Sequence, residues 1–149
     1  MDIVGDLKDL SQFKPDSIEE IYVSHILEHT TQKNCLEVLK YINRILIAEG
    51  EFYISVPNMD VLCSLFINPK ATHNVKFSLM RMMFGGQIDG YDYHYFGWNY
   101  DFMVQYFTQD NFTNFKKVNS FGLFNNDDMS EIRTYGHLIS LNIIASKQL

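Results

Sequence analysis

The spacing of apolar residues changes character twice between residues 19 and 58. Ile21-Tyr22-Val23-Ser24 is a short apolar run of strand type. Residues 31–48 then place Cys35, Val38, Leu39, Ile42, Ile45 and Leu46 on one helical face, and Lys33, Glu37, Lys40 and Arg44 on the other. Thr30 and Thr31 offer N-caps, and Gly50 supplies the helix stop. Phe52, Ile54 and Val56 alternate with Tyr53 and Ser55 as in a half-buried strand, which Pro57 closes. Strand, helix, strand implies a right-handed crossover and a parallel pair. Ligands of such sheets sit beyond the carboxyl ends of the strands, here Ser24-His25 and Pro57-Asn58.

The chain after residue 58 is richer in helix signals. Residues 59–69 carry Met59, Leu62, Cys63 and Phe66 on one side of a short helix that Pro69 ends. Residues 73–84 form a second helix on which Val75, Leu79, Met82 and Met83 cluster, a stripe that reads as core or as a protein contact. Gly85-Gly86 caps it and opens an aromatic loop, residues 85–98, that holds His94. Asn99 starts a helix over 99–110 with Phe102, Met103, Tyr106 and Phe107 buried. Asn111 tolerates the left-handed turn that follows. Strands are expected at 115–121 and 138–146, around a polar excursion at 122–136. The class is α/β.

Composition narrows the function. The 149 residues suit one domain, and 46% hydrophobic with 15% aromatic content suits a packed core. A net charge of −6 gives no basic footprint, so nucleic acid is not the expected partner. No apolar run reaches membrane-spanning length and no signal-peptide pattern opens the chain, which points to the cytoplasm and to no membrane partner. Cys35 and Cys63 sit in apolar helical contexts and read as buried free thiols. His25-Ile26-Leu27-Glu28-His29 matches H-x-x-E-H, the inverted zinc-hydrolase motif. It is set aside as a metal motif, because it stands at a strand exit instead of within a long helix.

The same stretch carries a family resemblance. Ile21 to Ser24, His25, Leu27, Glu28 and His29, then Arg44, Leu46 and Gly50, then Ser55-Val56-Pro57 resemble the type 11 group of class I S-adenosylmethionine-dependent methyltransferases. The family's helix end reads Arg-x-Leu-Lys-Pro-Gly-Gly, from which Ile47, Ala48 and Glu49 depart. The resemblance extends to Gly85-Gly86-Gln87 and His94. It implies a partial Rossmann-like fold: a mixed sheet with a closing antiparallel hairpin, flanked by helices. The strands present would be the family's fourth, fifth, seventh and sixth, with Ile3-Val4 as the end of the third.

The resemblance implies S-adenosylmethionine as cofactor. Asp6 and Leu7 would face its adenine, and Ser24 and His25 would line the pocket. Read from the residues alone, Asp6 is first a turn or helix-cap residue, and the resemblance brings the cofactor reading level with that one. His94 would serve as base toward a small-molecule or glycan acceptor; its structural alternative is packing among Tyr91, Tyr93, Tyr95 and Trp98. The sequence holds no G-x-G, so the family's Gly-rich cofactor turn is expected to be missing and the domain truncated. Three segments are expected: cofactor side (1–58), acceptor side (59–112) and terminal strand pair (113–149). Without the family's first strand, residues 21–24 become an apolar sheet edge, to be covered by a second copy in a homodimer or by another partner chain. The alternative function is an inactive methyltransferase remnant acting as a dimerisation or protein-interaction module. A zinc hydrolase using His25, Glu28 and His29 is the third.

Overall fold

The computed structural model describes residues 5–149, so the expected strand remnant at Ile3-Val4 lies outside the described residues. Strand β1 (Ile18–Ser24) leads through a 3-10 turn at Leu27–His29 into helix α1 (Gln32–Ile45). Strand β2 (Leu46–Pro57) follows, then α2 (Met59–Ile67), α3 (His73–Phe84) and α4 (Tyr100–Gln109). Strand β3 (Phe112–Val118), a two-residue ribbon of β4 (Arg133–Thr134) and β5 (His137–Leu138), and strand β6 (Ser140–Lys147) complete the chain.

The main sheet has the order β1-β2-β6-β3. β1 runs parallel to β2, and β6 is antiparallel to both β2 and β3. This is the expected fourth-fifth-seventh-sixth arrangement with its closing hairpin. Among the described residues no helix is long and apolar enough to cross a membrane.

Period-two alternation gives the sheet two unlike faces. Ile21, Val23, Phe52, Ile54, Val56, Leu141, Ile143 and Ala145 occupy mutually paired positions, Ile21 opposite Phe52 and Ile54 opposite Ile143 among them. They form one core with Val38, Leu39 and Ile42 of α1 and Met103 and Phe107 of α4. Phe52 stacks on Phe107 at 5.7 Å between ring centroids. The in-between positions Tyr22, Tyr53, Ser55 and Asn142 face the excursion after β3: Phe121 packs edge-on against Tyr22 and Tyr53. The methionine stripe of α3 packs as expected, with Leu79, Met82 and Met83 joining Leu62 and Ile139 in a second cluster.

A buried polar chain ties that excursion to the sheet. Ser55 Oγ donates to Asn142 Oδ1 (2.7 Å), and Asn142 Nδ2 donates to the carbonyls of Ser130 (2.6 Å) and Asn119 (2.8 Å). Asp128 accepts from Leu123 N–H (2.6 Å), Ser130 N–H (2.9 Å) and the Ser130 hydroxyl, while its own carbonyl accepts from the Tyr22 hydroxyl. Burial raises the Asp128 proton affinity, but these donors outweigh it and hold its pKa below the usual 3.8.

Several sequence expectations shift. Thr31 caps α1 by accepting from Asn34 N–H, but the helix ends at Ile45, and Leu46 is already extended. Gly50 is therefore no helix stop. It lies buried within β2, where residues 47–50 bulge opposite Glu19: Ile18 pairs with Leu46, but Glu20 pairs with Glu51. Glu49 takes the positive φ of +64° in this bulge. β3 starts three residues before its expected position, directly after Asn111 in its left-handed conformation (φ +59°). Cys63 is exposed, not buried, because α2 turns Leu62 inward; Cys35 is buried, which pushes its thiol up to about 12.

A Cβ on Gly50 would stand 2.9 Å from the Ile47 carbonyl oxygen and 3.0 Å from that of Glu19. Gly50→Ala should therefore destabilise the fold by about 1–3 kcal/mol, read as a lower urea midpoint at unchanged slope. The Asp128 contribution is complete above the ordinary carboxyl value and is lost as pH falls through the lowered folded value. Asp128→Asn should cost about 1–3 kcal/mol at neutral pH. It should also flatten the loss of stability between about pH 5 and pH 3 in thermal melts. An unchanged acid slope would show that Asp128 is not the titrating group.

Candidate functional site

The site grows from the segment that leaves β1. His25 takes a positive φ of +51°, and its N–H donates to Ser55 O (2.8 Å), which extends the β1–β2 pairing by one residue. The chain then turns sharply through Ile26 into the 3-10 turn, so one side of the segment faces the N-terminal residues and the other faces the aromatic loop.

On the first side lies a cavity of about 620 Å³ lined by Gly5, Asp6, Leu7, Leu10, Gln12, Phe13 and Ile26. Asp6 is the turn residue that its sequence context suggests: Oδ1 accepts from Lys8 N–H (2.9 Å) and its carbonyl accepts from Asp9 N–H (2.9 Å). It also forms part of the cavity wall, so the two sequence readings of Asp6 coexist. Arg44 at the end of α1 holds the wall in place, donating to Leu10 O (2.7 Å) and Phe13 O (3.0 Å). Ser24 and His25 are not lining residues. Each has a buried polar atom without a hydrogen-bond partner, Ser24 Oγ and His25 Nε2. Asn58 serves as a cap, its side chain accepting from Asp60 N–H.

On the second side, the aromatic loop is fastened to the same segment. Tyr95 N–H donates to Glu28 O (2.8 Å), and His94 N–H donates to Phe84 O at the end of α3 (3.1 Å). Gly85 makes this closure possible: its φ is +82°, and a Cβ there would meet Asp92 O at 2.2 Å. His94 packs edge-on against His29 with ring centroids 4.6 Å apart. It is brought to His29 instead of to Tyr91 or Trp98, and it does not line the large cavity. Burial lowers its proton affinity below the ordinary 6.5, an effect that the nearby Glu28 carboxyl only partly offsets. The ring is therefore neutral at pH 7.

Glu28 is 2% exposed, and neither carboxyl oxygen has a hydrogen-bond partner. His25 Nδ1 lies 3.3 Å from Glu28 Oε1 but out of line for a hydrogen bond. Glu28, His29 and His94 each bring one ligand atom to a group in which all lie within 4.8 Å of one another. The H-x-x-E-H spacing thus does not act as a unit: His25 stands outside the 3-10 turn, and the third member of the cluster is His94. The motif signalled Glu28 and His29; nothing in the local sequence links them to His94, 65 residues beyond His29.

The fold is that of the class I methyltransferases, a Rossmann-like α/β sheet with an antiparallel closing strand. No protein-family model and no curated protein matches the sequence. Similar solved structures include a S-adenosylmethionine-dependent methyltransferase from Methanosarcina mazei, 17% identical with a TM-score of 0.63 over 99% of this chain and 66% of that one. A second is the Burkholderia thailandensis 1,6-didemethyltoxoflavin-N1-methyltransferase with 1,6-didemethyltoxoflavin and S-adenosylhomocysteine bound, 13% identical with a TM-score of 0.59 over 99% and 50%. A third is the complex between the Haloferax volcanii Trm112 methyltransferase activator and a methyltransferase, 16% identical with a TM-score of 0.60 over 99% and 61%. This chain therefore spans between half and two thirds of the length of these three relatives in structure.

Proposed function

We propose that this chain forms the carboxyl-terminal portion of a S-adenosylmethionine-dependent methyltransferase and contributes the adenine end of its cofactor pocket. The observation that carries this reading is the cavity where β1 ends, with the Asp6 carboxyl and Leu7 beside the apolar Ile26 side chain. That donor set suits a purine: a carboxylate accepts from an exocyclic amino group, a backbone N–H donates to a ring nitrogen, and an aliphatic side chain covers the ring face. The cofactor supplies an activated methyl group on a sulfonium; the residues here hold it, orient it and keep water away.

Calorimetric titration with S-adenosylhomocysteine tests the reading. Saturable binding is expected, weakened about 10- to 100-fold by Asp6→Ala, the range for loss of a hydrogen bond to a charged group. Absence of saturation at millimolar ligand, or binding indifferent to Asp6→Ala, would overturn it.

The Gly-rich turn of such enzymes is assigned to a further segment or chain. Among the described residues β1 is paired on one side only, by β2, and an open edge next to the cofactor end invites a strand. The Haloferax structure, a methyltransferase with an activator chain, supports a partner in general. A second copy paired along residues 21–24 is the simplest arrangement. Light scattering after gel filtration should give a dimer mass that Ser24→Pro converts to monomer, since His25 N–H bonds to Ser55 O and the alternate Ser24 N–H faces the open edge, with folding checked by circular dichroism; a monomer for the unaltered chain at all concentrations would exclude the dimer.

A further inference from the structure

A carboxyl group buried to 2% exposure with both oxygens unpartnered is costly unless something else satisfies it. Three imidazoles surround Glu28: His25 Nδ1 stands 3.3 Å from Oε1 without completing a hydrogen bond, and His29 and His94 complete the group. His29 Nδ1 lies 3.1 Å from Tyr93 O, and His94 Nδ1 lies 3.0 Å from Met82 O. A carbonyl oxygen can only accept, so each Nδ1 carries the proton and each Nε2 is left with a lone pair to offer. Metal-ligating histidines are fixed in this way, with one ring nitrogen held by a carbonyl so that the other is oriented toward the ion.

We propose that Glu28, His29 and His94 form a binding site for a divalent first-row transition ion, with zinc as its test ion. Two imidazoles and one carboxylate are the donors of open zinc and ferrous sites, and they disfavour magnesium, which prefers all-oxygen shells. The three ligand atoms lie within 4.8 Å of one another. Donors about 2.1 Å from a shared ion stand roughly 3.4 Å apart in tetrahedral geometry, so the cluster closes by about an ångström on binding. The ligands come from two places that the backbone already fastens together, since Tyr95 N–H donates to Glu28 O. His29 also lines a surface cavity of about 290 Å³ with Lys8, Thr31, Asn34 and Tyr91, which brings the cluster within one side chain of solvent. Bound metal would pin the aromatic loop to the exit of β1 and leave coordination positions open beside it.

The site shares no residue with the proposed cofactor cavity, and its test needs no methyl transfer. The chain is stripped with chelator and titrated with Zn²⁺ by calorimetry, and with Co²⁺ by visible absorption. One ion per chain at micromolar or tighter affinity is expected, with Co²⁺ bands of a low-coordinate nitrogen and oxygen site and a rise in melting temperature that chelator reverses. His94→Gln and Glu28→Gln should each weaken binding at least tenfold, while His73→Gln and His137→Gln should not. His94 is on a loop, so His94→Gln serves as the test if Glu28→Gln fails to fold. No saturation below millimolar Zn²⁺, binding that survives His94→Gln, or a preference for Mg²⁺ would overturn the proposal.

Discussion

Strand β2 is the element on which the other strands depend. It is hydrogen-bonded on both sides, parallel to β1 and antiparallel to β6. A strand in that position fixes the side chains of both neighbours, since a slip of one residue would turn every Phe52-Ile54-Val56 position to the wrong face. The apolar face is filled by α1 and α4 together with Leu27 and Trp98, and the polar face by groups able to satisfy Ser55 and Asn142. The excursion after β3 does this with carbonyls, a serine and an aspartate. A buried amide such as Asn142 specifies its neighbours more narrowly than an aliphatic residue would, because each of its polar atoms needs a partner.

The pairing of β1 with β2 also decides where chemistry can occur. β1 ends at Ser24 opposite Ser55, two residues before β2 ends at Pro57, and the chain leaves β1 through His25 in a left-handed conformation. That single backbone choice turns residues 26–29 across the end of the sheet. Ile26, 44% exposed, goes toward the amino-terminal cavity, and Glu28 goes inward toward the histidines. A strained residue at a strand exit is a common mark of function, and here it precedes a four-residue segment that gives Ile26 to one potential site and Glu28 and His29 to the other.

Much of this was legible in the sequence. The alternation at Phe52 to Val56 and the helical face of α1 were read correctly, because both are long-range consequences of one period. The antiparallel closing strand followed from resemblance. Gly50 was misread because glycine at the end of a helical pattern is usually a cap, whereas here the helix had already ended and the glycine makes room for Glu19 and Ile47 carbonyls. Cys63 was misread because a short helix lying on one cluster buries fewer positions than its apolar content suggests. The partnership of Glu28 with His94 was invisible, since it depends on how the loop after α3 folds back, and Gly85 alone hints at that reversal.

The two proposed sites flank the short segment from Ser24 to His29 on opposite sides. A purine held against Ile26 and Leu7 would order the amino-terminal wall, which otherwise rests on two hydrogen bonds from Arg44. An ion held by Glu28, His29 and His94 would order the aromatic loop, which otherwise rests on backbone contacts to Phe84 and Glu28. Each ligand restricts the turn that the other uses, so ordering by the first reduces the entropy that the second must remove. Binding at the two sites would then be positively coupled without any displacement of the sheet, because the rigid β1–β2 pair anchors the segment from which both sites project.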